Sequence, residues 1–211
     1  MNSEPAATRP IRCTTCAQPL ESPICCTSCG ELNAEPIGRC NYFELFGLPQ
    51  RFRFDPALLD RAYRDLQLAV HPDRFATGDD AQRRVALQSS ARVNEAYRAL
   101  KDPVQRAQYL LTLHGVDAVG ETDTQLPFEF LEQQLERREA AQDALAAGDD
   151  RTLSSLLEAV RGDAREAEDR LALQLDGEHA YAGARTRVRE LTFLDKLAED
   201  LDAMLATLDD R

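Results

Sequence analysis

From Asn41 onward the apolar residues recur three and four positions apart, in runs that stop at Pro and Gly, a pattern that predicts helices and an all-α fold. Tyr42, Phe43, Leu45, Phe46 and Leu48 form a short apolar first helix, broken by Gly47 and Pro49. The next run, residues 56–70, puts Leu58, Leu59, Ala62, Tyr63, Leu66 and Val70 on one face, with Asp55 as N-cap and Pro56 at the first helical position. It must end at His71-Pro72-Asp73. Pro72 has no amide hydrogen and disfavours helical angles at His71, so His71 and Asp73 are expected on a loop. A third helix over 80–100 carries Val85, Ala86, Ser89, Val93, Ala96, Tyr97 and Leu100 inward; Asp102-Pro103 restarts the chain as a fourth over 103–113, stopped at Gly115. Two long antiparallel helices with a tight polar loop make a hairpin, and residues 41–116 are read as that domain.

A polar linker over 117–126 leads to three more helices, about 127–147, 150–175 and 178–208. Gly148-Asp149 and Asp176-Gly177 mark turns short enough to force antiparallel neighbours, so 127–211 reads as a three-helix bundle. Val188, Leu191, Leu194, Leu201, Leu205 and Leu208 sit at core spacing in its last helix.

All six cysteines lie within residues 1–40. Cys13/Cys16 and Cys26/Cys29 form two CxxC pairs separated by nine residues, a spacing that suits two knuckles around one tetrahedral zinc. A segment with so few large apolar side chains builds no core without such a staple, and Gly30 supplies a turn beneath the metal. One structural zinc per chain is the expectation. Three disulfides would need an oxidising compartment, and an iron centre would use the same ligands. Cys25 is an alternative to Cys26, and Cys40 reads as a leftover, small buried thiol.

Charge divides the chain as well. With 25 Lys+Arg against 37 Asp+Glu the net charge is -12, and residues 119–211 hold the excess while 41–118 are near neutral. This argues against a general nucleic-acid or anionic-membrane surface and suggests modules with different partners. No apolar run reaches the roughly 18 residues of a membrane span, and MNSEPAATRP lacks the apolar core of a secretory signal. A cytoplasmic location is expected. His114 and His179 are isolated in sequence, and no nucleophile motif or phosphate loop accompanies His71, so enzyme chemistry at that loop is disfavoured.

Tyr42 to Leu48 followed by a long helix, HPD and then RVNEAYRALKDP resembles a J-domain, the module by which DnaJ-type co-chaperones engage ATP-driven DnaK-type chaperones. The resemblance implies that His71, Pro72 and Asp73 contact the chaperone and trigger its ATPase, with Arg61 and Arg64 docking beside them. QLAV before the loop lacks the basic cluster of general J-domains, which suggests a specialised chaperone. The set NYFELFGLP, VHPDRFA, YLLTLHGVD, FLEQQLERRE and LTFLDKL is similar to the HscB family of iron-sulfur cluster biogenesis, over about Asn41 to Leu208. That resemblance implies an L-shaped protein without catalytic chemistry of its own, whose acidic bundle binds the scaffold protein IscU and delivers it to the chaperone HscA. It carries the scaffold site onto Leu131, Leu135, Glu136, Arg138, Glu139 and Phe193, with Glu132 standing where bacterial relatives have an apolar residue. On spacing alone, Leu131 and Leu135 at i and i+4 are also what a buried stripe looks like. The tetracysteine segment resembles prefixes of eukaryotic relatives, but only twelve residues precede Cys13 and they include Glu4, so a bacterial cytosol is favoured over a mitochondrial presequence. The rival reading is a thiol redox or iron-binding protein that uses the CxxC pairs directly.

Overall fold

A computed structural model describes residues 12–13, 15–19, 26, 28–29, 32, 40–117 and 126–209. Cys25, Gly30 and most of the 117–126 linker lie outside them. Among the described residues the regular elements are helical: α1 (Tyr42–Leu45), α2 (Pro56–Val70), a 3-10 turn (Pro72–Phe75), α3 (Asp80–Lys101), α4 (Pro103–Leu113), α5 (Phe128–Ala147), α6 (Asp150–Ala172), a π turn (Leu173–Gly177) and α7 (Tyr181–Asp209).

Local chemistry sets these boundaries. Asn41 accepts from the Glu44 amide while the Glu44 carboxylate accepts from the Asn41 amide, a capping box that starts α1. Asp55 caps α2 through the Ala57 amide with Pro56 in the first turn, as the sequence predicts. Asp79 and Gln82 form a second capping box at α3, Asp149 caps α6 through the Thr152 amide, and Gly148 closes α5 in the left-handed conformation at φ 69°. The expected helix over 150–175 instead ends at Ala172. The chain winds as a π turn before α7, with non-glycine His179 at φ 53° in the connection.

Two compact units result, one holding residues 1–50 and 54–102, the other 51–53 and 103–211. In the first, Phe43, Leu59, Val70, Ala86, Val93, Ala96 and Leu100 are buried between α1, α2 and α3. Leu58, expected on the inner face, is exposed: the buried stripe of α2 starts at Leu59, and Leu58 lies about 100° round the helix from it. Polar groups bind the hairpin along its length. Tyr63 stacks on Tyr97 with centroids 3.9 Å apart and donates to Asn94 at 2.9 Å. Lys101 and Tyr97 both donate to Asp60, at 2.7 and 2.9 Å, and these bonds, that from Lys101 first, hold its carboxyl below the usual carboxylate range.

In the second unit α5, α6 and α7 form the bundle. α4, which the sequence reading joins to the hairpin, packs on α7 and buries Val104, Ala107, Leu110 and Leu111. The Asp176 carboxylate accepts from the amides of Phe52 and Arg53 at 2.6 and 2.9 Å, while Arg106 covers the Phe52 ring; this is why residues 51–53 belong to this unit. Leu153, Leu157, Val160, Leu171, Val188, Leu191, Leu194, Leu197 and Leu201 supply the interior. Leu205 and Leu208, expected in the core, are half-buried because α7 runs out toward its end. Leu201→Ala is therefore expected to cost about 2 to 5 kcal/mol through lost burial and the cavity left behind, measured as a fall in denaturant midpoint with unchanged slope.

Candidate functional site

Three separate groupings carry chemistry. The first is sulfur. The Sγ atoms of Cys13, Cys16, Cys26 and Cys29 all lie within 4.8 Å of one another, with Cys13–Cys29 at 3.6 Å and Cys16–Cys26 at 3.5 Å. A tetrahedral zinc with bonds of about 2.3 Å would hold its sulfurs about 3.8 Å apart, so the set fits that ion. The first knuckle closes by backbone bonds, Cys13 N to Gln18 O at 2.8 Å and Ala17 N to Cys13 O at 3.0 Å, with Ala17 at φ 58° in the left-handed region. Amides turned inward favour thiolates. The Cys16 N–H pulls the Cys13 thiol down to about 6, and the Cys29 N–H lowers Cys26. At Cys16 the Gln18 N–H acts downward, but burial and the bond to Cys26 outweigh it and the thiol moves up. Cys40 is buried away from this set, as expected, and burial raises its thiol.

The second grouping is the corner between α2 and α3. His71 Nδ1 accepts from the Asp73 amide at 3.3 Å and stands 3.6 Å from Asp73 Oδ2, while the Asp73 side chain remains 90% exposed. Arg74 Nη1 donates to the carbonyls of Leu68 and Ala69 at 3.2 and 3.3 Å, satisfying the end of α2 that Pro72 leaves open. Arg61 and Arg64 are exposed, as is Leu68, which shares their face at i+3 and i+7. Leu68 escaped the sequence reading although its position on the helical wheel, off the Leu59 stripe, marks it.

The third lies on the bundle. Leu131 is 42% exposed, Leu135 59% and Phe193 42%; Phe128, one turn before Leu131, is also exposed and extends the stripe. Phe193 meets Phe130 edge-on, centroids 6.4 Å apart, so its ring is braced rather than free. Glu132, Glu136, Arg138 and Glu139 are exposed around the stripe, and Arg138 stands 3.8 Å from Asp200 of α7. The side of α5 that is buried is instead Gln134, Ala141 and Ala144. His114 and His179, isolated in sequence, meet at Tyr181: His114 stacks on its ring at 3.9 Å and His179 Nδ1 lies 3.1 Å from its hydroxyl. No helix among the described residues is long and apolar enough to cross a membrane.

Residues 41–109 match the DnaJ domain family, and residues 126–202 match the family described as the HSCB C-terminal oligomerisation domain. The co-chaperone protein HscB homolog of Aromatoleum aromaticum is 46% identical over 169 residues, 80% of this chain and 96% of its own length. That of Ralstonia nicotianae is 47% identical with the same coverage. Among solved structures, chaperone HscB from Vibrio cholerae is similar with a TM-score of 0.73 at 36% identity, over 80% of this chain and 99% of its own. Human co-chaperone protein HscB is similar with a TM-score of 0.80 at 26% identity, over 92% of this chain and 98% of its own. That 92% exceeds the share made up by residues 41–211, so this likeness reaches into the cysteine segment.

The exposures of the bundle face set distinct thermal expectations. Leu131→Ala and Leu135→Ala should each shift stability by no more than about 0.5 kcal/mol, as surface changes do. Phe193→Ala also loses its contact with Phe130 and should cost about 0.5 to 1.5 kcal/mol. Calorimetric melting of the three variants checks the order; a loss at Leu135 of the size of a core truncation would place it inside.

Proposed function

The chain belongs to the HscB family of J-domain co-chaperones, and from that premise we propose that it couples a cluster scaffold to an ATP-driven chaperone in iron-sulfur protein maturation. In this reading an IscU-type scaffold docks on the bundle, an HscA/DnaK-type chaperone docks on the hairpin, and the chaperone's ATP turnover remodels the scaffold so that its cluster transfers. The chain itself catalyses nothing; it raises the ATPase of its partner. The observation that carries the reading is the exposure of His71 and Asp73, with Pro72 half-buried between them, on a corner where Arg74 satisfies the open end of α2.

The corner suits such a trigger. Pro72 restricts the backbone, the His71 ring is held by the Asp73 amide, and the Asp73 carboxylate faces solvent, ready for a charge-assisted bond to a partner's guanidinium. Arg61 and Arg64 add charge for steering, and Leu68 an apolar contact between them and the loop. Stimulation follows if these groups bind the hydrolysis-competent state of the chaperone more tightly than the resting one. On the bundle, Leu131, Leu135 and Phe193 serve as anchors, with Glu136, Arg138 and Glu139 as a polar rim that selects the scaffold.

Cys13, Cys16, Cys26 and Cys29 would hold the zinc, and a closed four-thiolate site supplies folding energy rather than reactivity. Reduced thiolates of this kind belong in the cytoplasm, where we place the protein. A colourless preparation with one zinc per chain, lost in Cys13→Ser, is the expected outcome of elemental analysis and visible spectroscopy. Visible absorption from bound iron would favour the rival iron-binding or redox reading.

His71→Gln should abolish stimulation of the chaperone's ATPase while changing stability by less than about 1 kcal/mol, because His71 buries little. Scaffold binding should survive in the variant. Steady-state ATP turnover with the paired chaperone, alongside scaffold titration calorimetry, measures both, and parental stimulation by His71→Gln would sink the reading of this corner.

A further inference from the structure

The cysteine segment and the exposed corner meet at one residue. Leu32, three positions after Cys29, is only 7% exposed, although the segment around it has so few large apolar side chains of its own. It walls a cavity of about 270 Å³ together with Phe75, Asp79, Ala81, Gln82 and Val85. Phe75 is the last residue of the 3-10 turn that begins at Pro72; Asp79 and Gln82 form the capping box that starts α3. Leu32 is thus seated where the corner returns to the hairpin.

Beyond that cavity the turn is held by polar bonds. None of residues 72–75 is buried; Arg74 N donates to His71 O at 3.0 Å, Ala76 N to Asp73 O at 3.4 Å and Gly78 N to Phe75 O at 3.0 Å. Arg74 Nη1 reaches back to the Leu68 and Ala69 carbonyls, and Arg83 Nη1 of α3 donates to the Ala76 carbonyl at 3.3 Å. Exposed backbone bonds with few apolar contacts open readily. The apolar wall that Phe75 shares with Leu32 on this cavity is therefore a larger share of what holds the corner than it would be in a core. Leu32, in turn, is tied to the sulfur site. Three residues span at most about 11 Å of extended chain, so the seat of Leu32 and the position of Cys29 constrain each other. Beyond Leu32 the segment is fastened again, where Arg92 Nη2 of α3 donates to the Cys40 carbonyl at 2.9 Å.

We propose that metal occupancy of the four cysteines controls how firmly the His71-Pro72-Asp73 corner is held, with Leu32 as the positioning residue between them. With the metal bound, the second knuckle presents Leu32 to the cavity and the turn is braced. Without it, a segment that small cannot keep its own order, Leu32 leaves the cavity, and the turn is left to its polar bonds. The inference rests on the metal reading given above, and it makes the prefix a regulator of chaperone engagement rather than an appendage.

The test is amide hydrogen exchange on the full-length chain, followed by mass spectrometry, with zinc bound and after chelation. Exchange over residues 71–79 should rise about threefold or more on chelation while residues 150–172 are unchanged, as expected when a turn with few apolar neighbours loses one wall of the cavity beside it. Leu32→Ala should retain its zinc, show the faster exchange already in the zinc-bound state, and gain little more on chelation. Stimulation of the chaperone's ATPase should need a higher concentration of Leu32→Ala than of the parent. Zinc that leaves without altering exchange over 71–79, or a Leu32→Ala corner as protected as the parent's, overturns the coupling and leaves the metal site standing. A chain that takes up no zinc overturns the metal reading and the coupling together.

Discussion

The end of α2 at Val70 is the constraint on which the first unit depends. Pro72 cannot extend the helix, so the chain turns there, and the open carbonyls of Leu68 and Ala69 must find donors. Arg74 provides them from three residues beyond His71, and the turn closes with bonds of its own and one from Arg83 of α3 to the Ala76 carbonyl. A corner whose open carbonyls are satisfied by its own Arg74 side chain needs no burial. That is why His71 and Asp73 stand in solvent while α2 and α3 pack behind them through Leu59, Val70, Ala86, Val93, Ala96 and Leu100.

The second unit reaches exposure by a different route. Its interior is built from the large side chains of α6 and α7, whereas α5 turns Gln134, Ala141 and Ala144 inward. Small residues let a helix approach closely and contribute little apolar area of their own. The bulky residues of α5, Phe128, Leu131 and Leu135, are consequently left outside, and Phe193 of α7 is exposed as well, braced on Phe130. A helix with its large apolar residues facing solvent gives up burial that its own domain could have used, and the proposed scaffold docking draws on that exposure.

In the proposed function the work divides along physical lines: the hairpin would offer charge and a polar corner, the bundle apolar anchors within an acidic surface, and the sulfur site order to a segment poor in apolar residues. The histidines at Tyr181 fit none of these roles; their stacking joins the end of α4 to the start of α7 inside the second unit.

What the sequence determined alone is whatever depends on near neighbours. Helix ends follow from Asn41, Asp55, Asp149 and Gly148, whose caps bond within a few residues; the corner follows from Pro72; and the grouping of Cys13, Cys16, Cys26 and Cys29 follows from the CxxC spacing, because each pair closes on itself within a few residues. Tertiary structure decided whatever depends on which side of a helix meets another. Spacing at i and i+4 is the same for a core stripe and an exposed one, so Leu131 and Leu135 stayed ambiguous until α6 and α7 met the other face of α5. The same reason moved Leu58 outward, joined α4 to α7, brought His114 and His179 to one tyrosine, and placed Leu32 and Phe75 on the walls of one cavity. Helical periodicity records that a face is apolar, and only the packed partners decide which face water loses.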